Sequence, residues 1–521
     1  MSANMDNDDA CGKCPAALHT ASAACSLVGR ADDPMCFRSL ATLVTSLIPM
    51  PRPLILLASG LFACTPLLSE SRFSSDVSQT SAVEWKGPLP APPPPAGIDS
   101  SLLAQVPPPG TTLTLRKLVT FALQNSPQTR SSWLNARAAA AGVVSRRSAW
   151  YPTLAADVQA GYTHSTVGGT TVLDGFTLRP GASLSFLVFD LGGRSADIEE
   201  AEALLEVANL SHNRTVQDVV LNVEQAYFQY LSAKALVAAN EDTLKETQTA
   251  FQAAQERRNA GVATIADVLQ AKTLVSQARL ALQQNQGQVI ALRGALATSL
   301  GVPANLPVDV GELPAELPLR PLGEAVEKLI TEAQAKRPDL ARARAQAIAA
   351  STRERSIESR GLPFLSFNAG AARTFLLNDC CAHGDNYNAG ITLSIPIFNG
   401  FRDSADRRQA LEQARAAQAD AESLEQQIIL QVWTSYQGVK TAELRVGTSK
   451  DLLESAQESA NVAQGRYKAG VGSILDVLTA EVALANARAQ EVQARADWLL
   501  SLASLSHDTG ALDLLPGQVS Q

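Results

Sequence analysis

The 521-residue chain carries 43 Lys and Arg against 51 Asp and Glu, a formal charge of −8, with 46% hydrophobic but only 5% aromatic residues. That balance, without a basic stripe, argues against nucleic acid as a partner, and no run of 18 apolar residues offers a transmembrane helix. Scarce aromatics with abundant alanine favour close-packed long helices over an aromatic-rich β core.

In chain order, the first readable element is a secretory signal: Arg52, then an apolar run over 54–63 that ends at Cys64. Leu61-Phe62-Ala63-Cys64 resembles a bacterial lipobox, whose cysteine becomes the acylated N-terminus of the mature chain; a signal peptide with a chance cysteine is the alternative. By that resemblance Thr65 implies outer membrane sorting. One acyl chain anchors only marginally, so a second membrane element is expected. Residues 1–63 read as the signal plus an extension that is removed or lies ahead of the true start. The extension holds a CxxC, Cys11 and Cys14, without the second pair that a zinc site needs. Residues 64–113 form a lipidated, proline-rich segment, extended and poorly able to form helix.

Self-comparison shows a tandem repeat. At an offset of 209, Phe189 falls on Phe398, Tyr227 on Tyr436, Asp267 on Asp476 and Gly301 on Gly510; upstream, at 211, Pro127 falls on Pro338 and Pro152 on Pro363. The copies span 114–301 and 322–510, with a proline-rich linker at 302–321 and a tail at 511–521. Each copy opens with a helix, expected over 115–149 and 322–360. Two strands follow, separated by a polar glycine-containing loop: 152–163 and 181–190, then 363–374 and 387–398. Leu184, Phe186 and Val188 alternate with Ser183 and Ser185, as Ile391, Leu393, Ile395 and Ile397 alternate with Thr392, Ser394 and Pro396. That is the period of a sheet with one apolar face. A helix of some 60 residues comes next, 195–258 and 404–468, about 90 Å long. A glycine-containing turn leads to a last helix at 265–300 and 474–508. Ala414, Ala417, Ala421, Leu424 and Ile428 step by coiled-coil spacing.

Four strands cannot close a barrel, yet strands of this length with one apolar face suit an outer membrane barrel, and lipid does not tolerate open sheet edges. Other protomers must complete the sheet. The polar long helices must project into an aqueous space.

Helix–strand–loop–strand–long helix–turn–helix, given twice, resembles the TolC-like outer membrane efflux protein family, of lipoprotein type. The resemblance covers about 114–510. Its most specific parts are the turns Arg257-Arg-Asn-Ala-Gly261-Val-Ala-Thr264-Ile-Ala-Asp267 and Arg466-Tyr-Lys-Ala-Gly470-Val-Gly-Ser473-Ile-Leu-Asp476. It implies an α+β membrane protein: a homotrimer with a twelve-stranded outer membrane β-barrel and a long periplasmic α-helical coiled-coil barrel. The partners implied are a periplasmic adaptor, an inner membrane transporter and outer membrane lipids, and no cofactor or metal. The function implied is the exit duct of a tripartite system exporting small molecules such as drugs, toxic organics or metal ions. A type I protein secretion duct and, from another class, a periplasmic coiled-coil scaffold lipoprotein stay open.

The turns carry the candidate residues. Gly261 and Gly470 suit helix C-caps at positive φ, Thr264 and Ser473 suit N-caps, and Asp267 and Asp476 then complete capping boxes. By resemblance, Asp476 lines a periplasmic constriction where three carboxylates make a cation-selective ring. Thr479 stands where many relatives have a second acid. Tyr467 and Asp267 occupy the positions of a closing contact, and Gly472 that of its arginine. Arg257, Ala260, Gly261 and Val262, with Arg466, Ala469, Gly470, Val471 and Gly472, would be the adaptor-docking tips. Cys380 and Cys381 fall in the loop between the third and fourth strands as a vicinal disulfide, as outward bridges or as free thiols; His383 beside them is a lone loop histidine, poor ground for a metal site. No phosphate loop, nucleophile elbow or HExxH motif points to an enzyme.

Overall fold

The computed structural model describes residues 113–314, 317, 325–376 and 383–511. The signal and Cys64, the proline tract, Cys380 and Cys381, the later part of the linker and the tail beyond Ala511 lie outside the described residues. No helix among the described residues is long and apolar enough to cross a membrane.

The opening helix of each copy is two helices, which corrects the sequence reading. α1 (Leu115–Asn125) and α2 (Pro127–Arg147) are separated by Ser126, extended at φ −62° and ψ 126°. The ring of Pro127 disfavours the helical region at the residue before it, while Pro itself fits the first helical position. Ser126 uses the break, its Oγ accepting from the Gln128 amide at 3.2 Å. In the second copy α5 (Val326–Lys336) and α6 (Pro338–Arg360) break the same way at Arg337.

β1 (Thr153–Val167) and β2 (Thr170–Phe189) follow a short 3₁₀ turn at Ser148–Trp150. The two-residue turn Gly168-Gly169 has both φ angles positive, 60° and 82°, as a tight hairpin asks. Most of the loop expected between 163 and 181 is therefore strand. β3 (Phe364–Leu376) and β4 (His383–Ser394) complete a four-stranded sheet in the order β1-β2-β3-β4. β4 starts earlier than expected and stops at Ser394, short of Pro396, which has no N–H for a ladder.

The chain divides into two units. Among the described residues the smaller holds 161–177, 375–376 and 383. In it the Tyr162 ring meets Phe176 edge-on at 5.4 Å and its hydroxyl donates to Asp174. Thr177 Oγ1 donates to the Gly161 carbonyl at 3.1 Å. The larger unit holds all of the described helices.

α3 (Gly193–Asn259) and α7 (Arg402–Lys468) each run 67 residues, about 100 Å. They start at corners where two consecutive residues take positive φ: Leu191-Gly192 and Gly400-Phe401. At the first corner Arg194 reaches back, donating to the Leu187, Val188 and Ala149 carbonyls at 2.6, 3.2 and 3.3 Å and lying 4.1 Å over the Trp150 ring. That fixes the base of the first hairpin on α3. α4 (Ile265–Ser299) and α8 (Ile474–Thr509) run back. The covered positions of α7 include Ala410, Ala414, Ala417, Ala421, Leu424 and Ile428, the expected heptad seam with small residues at close contacts.

Both returning helices end alike. Gly301 (φ 78°) and Gly510 (φ 74°) follow α4 and α8, and the next amides, of Val302 and Ala511, reach back to the carbonyls of Ala297 and Ser506. Each glycine lies on the pre-proline break of its own copy. A Cβ on Gly301 would stand 2.9 Å from the Asn125 carbonyl oxygen, and one on Gly510 3.3 Å from the Arg337 nitrogen.

Candidate functional site

The two turns between long and returning helices close in the same way. In the first, the Gly261 amide donates to the Arg258 carbonyl and the Val262 amide to that of Arg257, both at 2.9 Å; in the second, Gly470 and Val471 donate to Tyr467 and Arg466, both at 3.0 Å. This paired closure needs a left-handed residue, and Gly261 (φ 75°) and Gly470 (φ 79°) supply it. Two residues beyond each closure come the capping boxes. Thr264 Oγ1 accepts from the Asp267 amide at 3.2 Å while Asp267 Oδ2 accepts from the Thr264 amide at 2.8 Å. Ser473 Oγ accepts from the Leu475 amide at 3.0 Å and Asp476 Oδ2 from the Ser473 amide at 3.2 Å. Both carboxylates also sit at the positive end of a helix.

The tips are open. Ala260, Gly261, Val262, Arg466, Ala469, Gly470 and Val471 are exposed, Gly472 is half-buried, and Asp476 and Thr479 face solvent. Behind them one apolar cluster joins the copies: Ala250, Ala254, Val268 and Ala271 of the first pack with Tyr467, Ile474, Val477 and Leu478 of the second. Tyr467 and Asp267 do not hydrogen-bond. The Tyr467 hydroxyl is buried without a partner, and burial raises its pKa. Arg257 instead comes across, its Nη1 2.5 Å from the Tyr467 carbonyl and its guanidinium 4.5 Å over the ring.

One turn further in lies a residue that the sequence reading missed. Glu481 is 1% exposed. Its Oε1 accepts from Gln464 Nε2 at 2.5 Å and its Oε2 has no partner. Burial raises its pKa; the Gln464 bond opposes this and the charge of Glu246 adds to it. Glu246 is itself held by Arg488 through two bonds of 2.7 and 2.8 Å, which ties α3 to α8. The signal was present: Glu481 falls on the seam Ile474, Val477, Glu481, Leu484, where a coiled coil wants an apolar side chain. No group of side chains among the described residues could hold a metal ion.

The outer membrane efflux protein family model matches residues 118–302 and 329–511. The chain belongs to the outer membrane efflux protein family. Its members are channels of the outer membrane with a periplasmic extension, not enzymes. Protein CyaE of Bordetella pertussis is 29% identical over 420 residues, covering 79% of this chain and 83% of that protein. The toluene efflux pump outer membrane protein TtgC of Pseudomonas putida is 26% identical over 404 residues, covering 75% and 81%. Among solved structures, the outer-membrane channel OprN superposes with a TM-score of 0.69 at 21% identity over 76% of this chain and 90% of its own. VceC of Vibrio cholerae gives 0.68 at 19% over 76% and 96%. The tandem repeat of this efflux protein, read from its sequence, is thus the family's own fold.

Proposed function

We propose that this efflux protein is one protomer of a homotrimeric exit duct for small molecules, working with a periplasmic adaptor and an inner membrane transporter. The observation that carries the reading is the open sheet. β1 and β4 are its edges, and the apolar residues that end β4 have no cover: Ile391 is 67% exposed and Leu393 60%. Unpaired edges are not stable in lipid, and three protomers of four strands each close a twelve-stranded barrel. The names of relatives favour small cargo: they include toluene, antibiotic and pyoverdine efflux proteins.

In this reading Asp476, with Thr479 beside it, lines the periplasmic constriction. Three exposed carboxylates about a threefold axis favour cations. The small, open tips at Ala260-Gly261-Val262 and Ala469-Gly470-Val471-Gly472, flanked by Arg257 and Arg466, receive the adaptor's helices. Cys64 carries the lipid. The test is single-channel recording of the purified protein in a planar bilayer with a salt gradient. Wild type is cation-selective and Asp476→Asn, which keeps an oxygen for the helix cap, loses most of that selectivity. Equal selectivity in both removes Asp476 from the constriction.

A further inference from the structure

Resting on the pore reading above, we propose that Arg257 is the latch that holds the second turn against the first, and that it acts through the backbone carbonyl of Tyr467 rather than through the tyrosine hydroxyl. Between 250–272 and 460–482, the bond from Arg257 Nη1 to the Tyr467 oxygen is the one side-chain hydrogen bond among the described residues. Beside that bond and the stacking of the same guanidinium on the Tyr467 ring, apolar packing joins the turns there.

The chemistry of the acceptor favours a cation. Tyr467 lies in the last turn of α7, where carbonyls lack helical partners and the helix dipole is negative. Its oxygen already accepts the Gly470 amide at 3.0 Å, and a second, charge-assisted bond is about twice as strong as a neutral one. The guanidinium stacked at 4.5 Å over the ring adds a cation–π contact from the same side chain.

The other candidates for a latch are occupied or closed off. The Asp267 carboxylate is spent on the Thr264 amide. The Tyr467 hydroxyl faces no donor or acceptor. The second turn has no room for a cation of its own at Gly472, where a Cβ would come within 3.0 Å of both Arg466 Cβ and the Tyr467 nitrogen. The cation that crosses between the turns is Arg257 of the first. Asp476 lies in the first turn of α8 between Ile474 and Val477, which pack with Tyr467 in one cluster, so parting Tyr467 from Arg257 moves Asp476. Arg257 is thus a positioning residue for the aperture.

The test compares full-length wild type, Arg257→Ala, Arg257→Lys, Tyr467→Phe and Asp476→Asn by single-channel recording, with the detergent-subtracted mass confirming assembly. Arg257→Ala shifts the ratio of open to closed time by about tenfold or more, as expected for a lost charge-assisted bond. Arg257→Lys, which keeps the charge but not the planar fork, falls between. Tyr467→Phe does not reproduce the shift. The latch is overturned if Arg257→Ala gates as wild type while Asp476→Asn still changes selectivity, or if Tyr467→Phe opens the pore as far as Arg257→Ala. Absence of current from every assembled protein overturns the pore reading and the latch with it.

Discussion

Arg337 grips Asp339 through two parallel bonds, Nε to Oδ1 at 3.0 Å and Nη2 to Oδ2 at 2.6 Å, with the arginine side chain 1% exposed. The same guanidinium donates to Gln431 of α7 at 2.8 Å and to the Asp508 carbonyl near the end of α8 at 3.2 Å. Asp339 also meets Arg214 of α3 at 3.5 Å. Arg337 and Asp339 together thereby tie both long helices to the second copy's helix break.

Removing it should be costly. Arg337→Ala leaves the buried Asp339 carboxylate with only the more distant Arg214 as a cation, a loss of up to about 3–5 kcal/mol, read as a lower apparent Tm at pH 7. Burial alone would raise the Asp339 pKa, but the Arg337 bonds and charge, with Arg214, hold it below the usual carboxylate range. A depressed acid stabilises the fold above its unfolded value and loses that contribution as pH falls through the folded one. The gap between wild type and Arg337→Ala should therefore narrow in acid, leaving the share owed to the Gln431 and Asp508 bonds. A gap that persists undiminished well below pH 3 would contradict this.

Glu224 behaves oppositely. Burial pushes its pKa up to about 7, against the opposing charge of His507. A raised acid favours the fold below its unfolded value, and that support fades as pH climbs from about 4.5 through 7. Glu224→Gln should match wild type near pH 4 and exceed it at pH 8.5 by up to roughly 3 kcal/mol. Thermal scans at the two pH values check it; equal curves at pH 8.5 would show that the carboxylate is not taxed by burial.

Two glycines with the same backbone angle should differ in cost. Gly261 (φ 75°) faces open space, so Gly261→Ala carries only left-handed strain, about 1–2 kcal/mol. Gly301 (φ 78°) has the Asn125 carbonyl oxygen 2.9 Å from where a Cβ would sit. Gly301→Ala must also part α4 from the α1–α2 break, and its Tm should fall further. Equal losses would mean that the close approach is relieved at no cost.

Much of this was legible in the sequence because it rests on local rules. The positive φ of Gly261 and Gly470, the capping boxes at Thr264 and Ser473, and the alanine seam of α7 follow from turn chemistry and spacing alone. The pre-proline breaks at Ser126 and Arg337 were equally local, since Pro127 and Pro338 were in plain view, yet the helical pattern on either side masked them. The polar flanks of Gly168-Gly169 look like loop in the sequence, because a barrel strand keeps polar residues on one face. Long-range pairings left no trace. Arg257 meets Tyr467, and His507 meets Asp218 at 2.9 Å, across hundreds of residues, and no spacing encodes such contacts.

The exit duct requires three chains to share one barrel. The protein mass of the detergent-extracted mature efflux protein, by light scattering with the detergent contribution subtracted, tests it most directly. A shared barrel gives a mass near three chains. A single chain that leaves the membrane without detergent would contradict it.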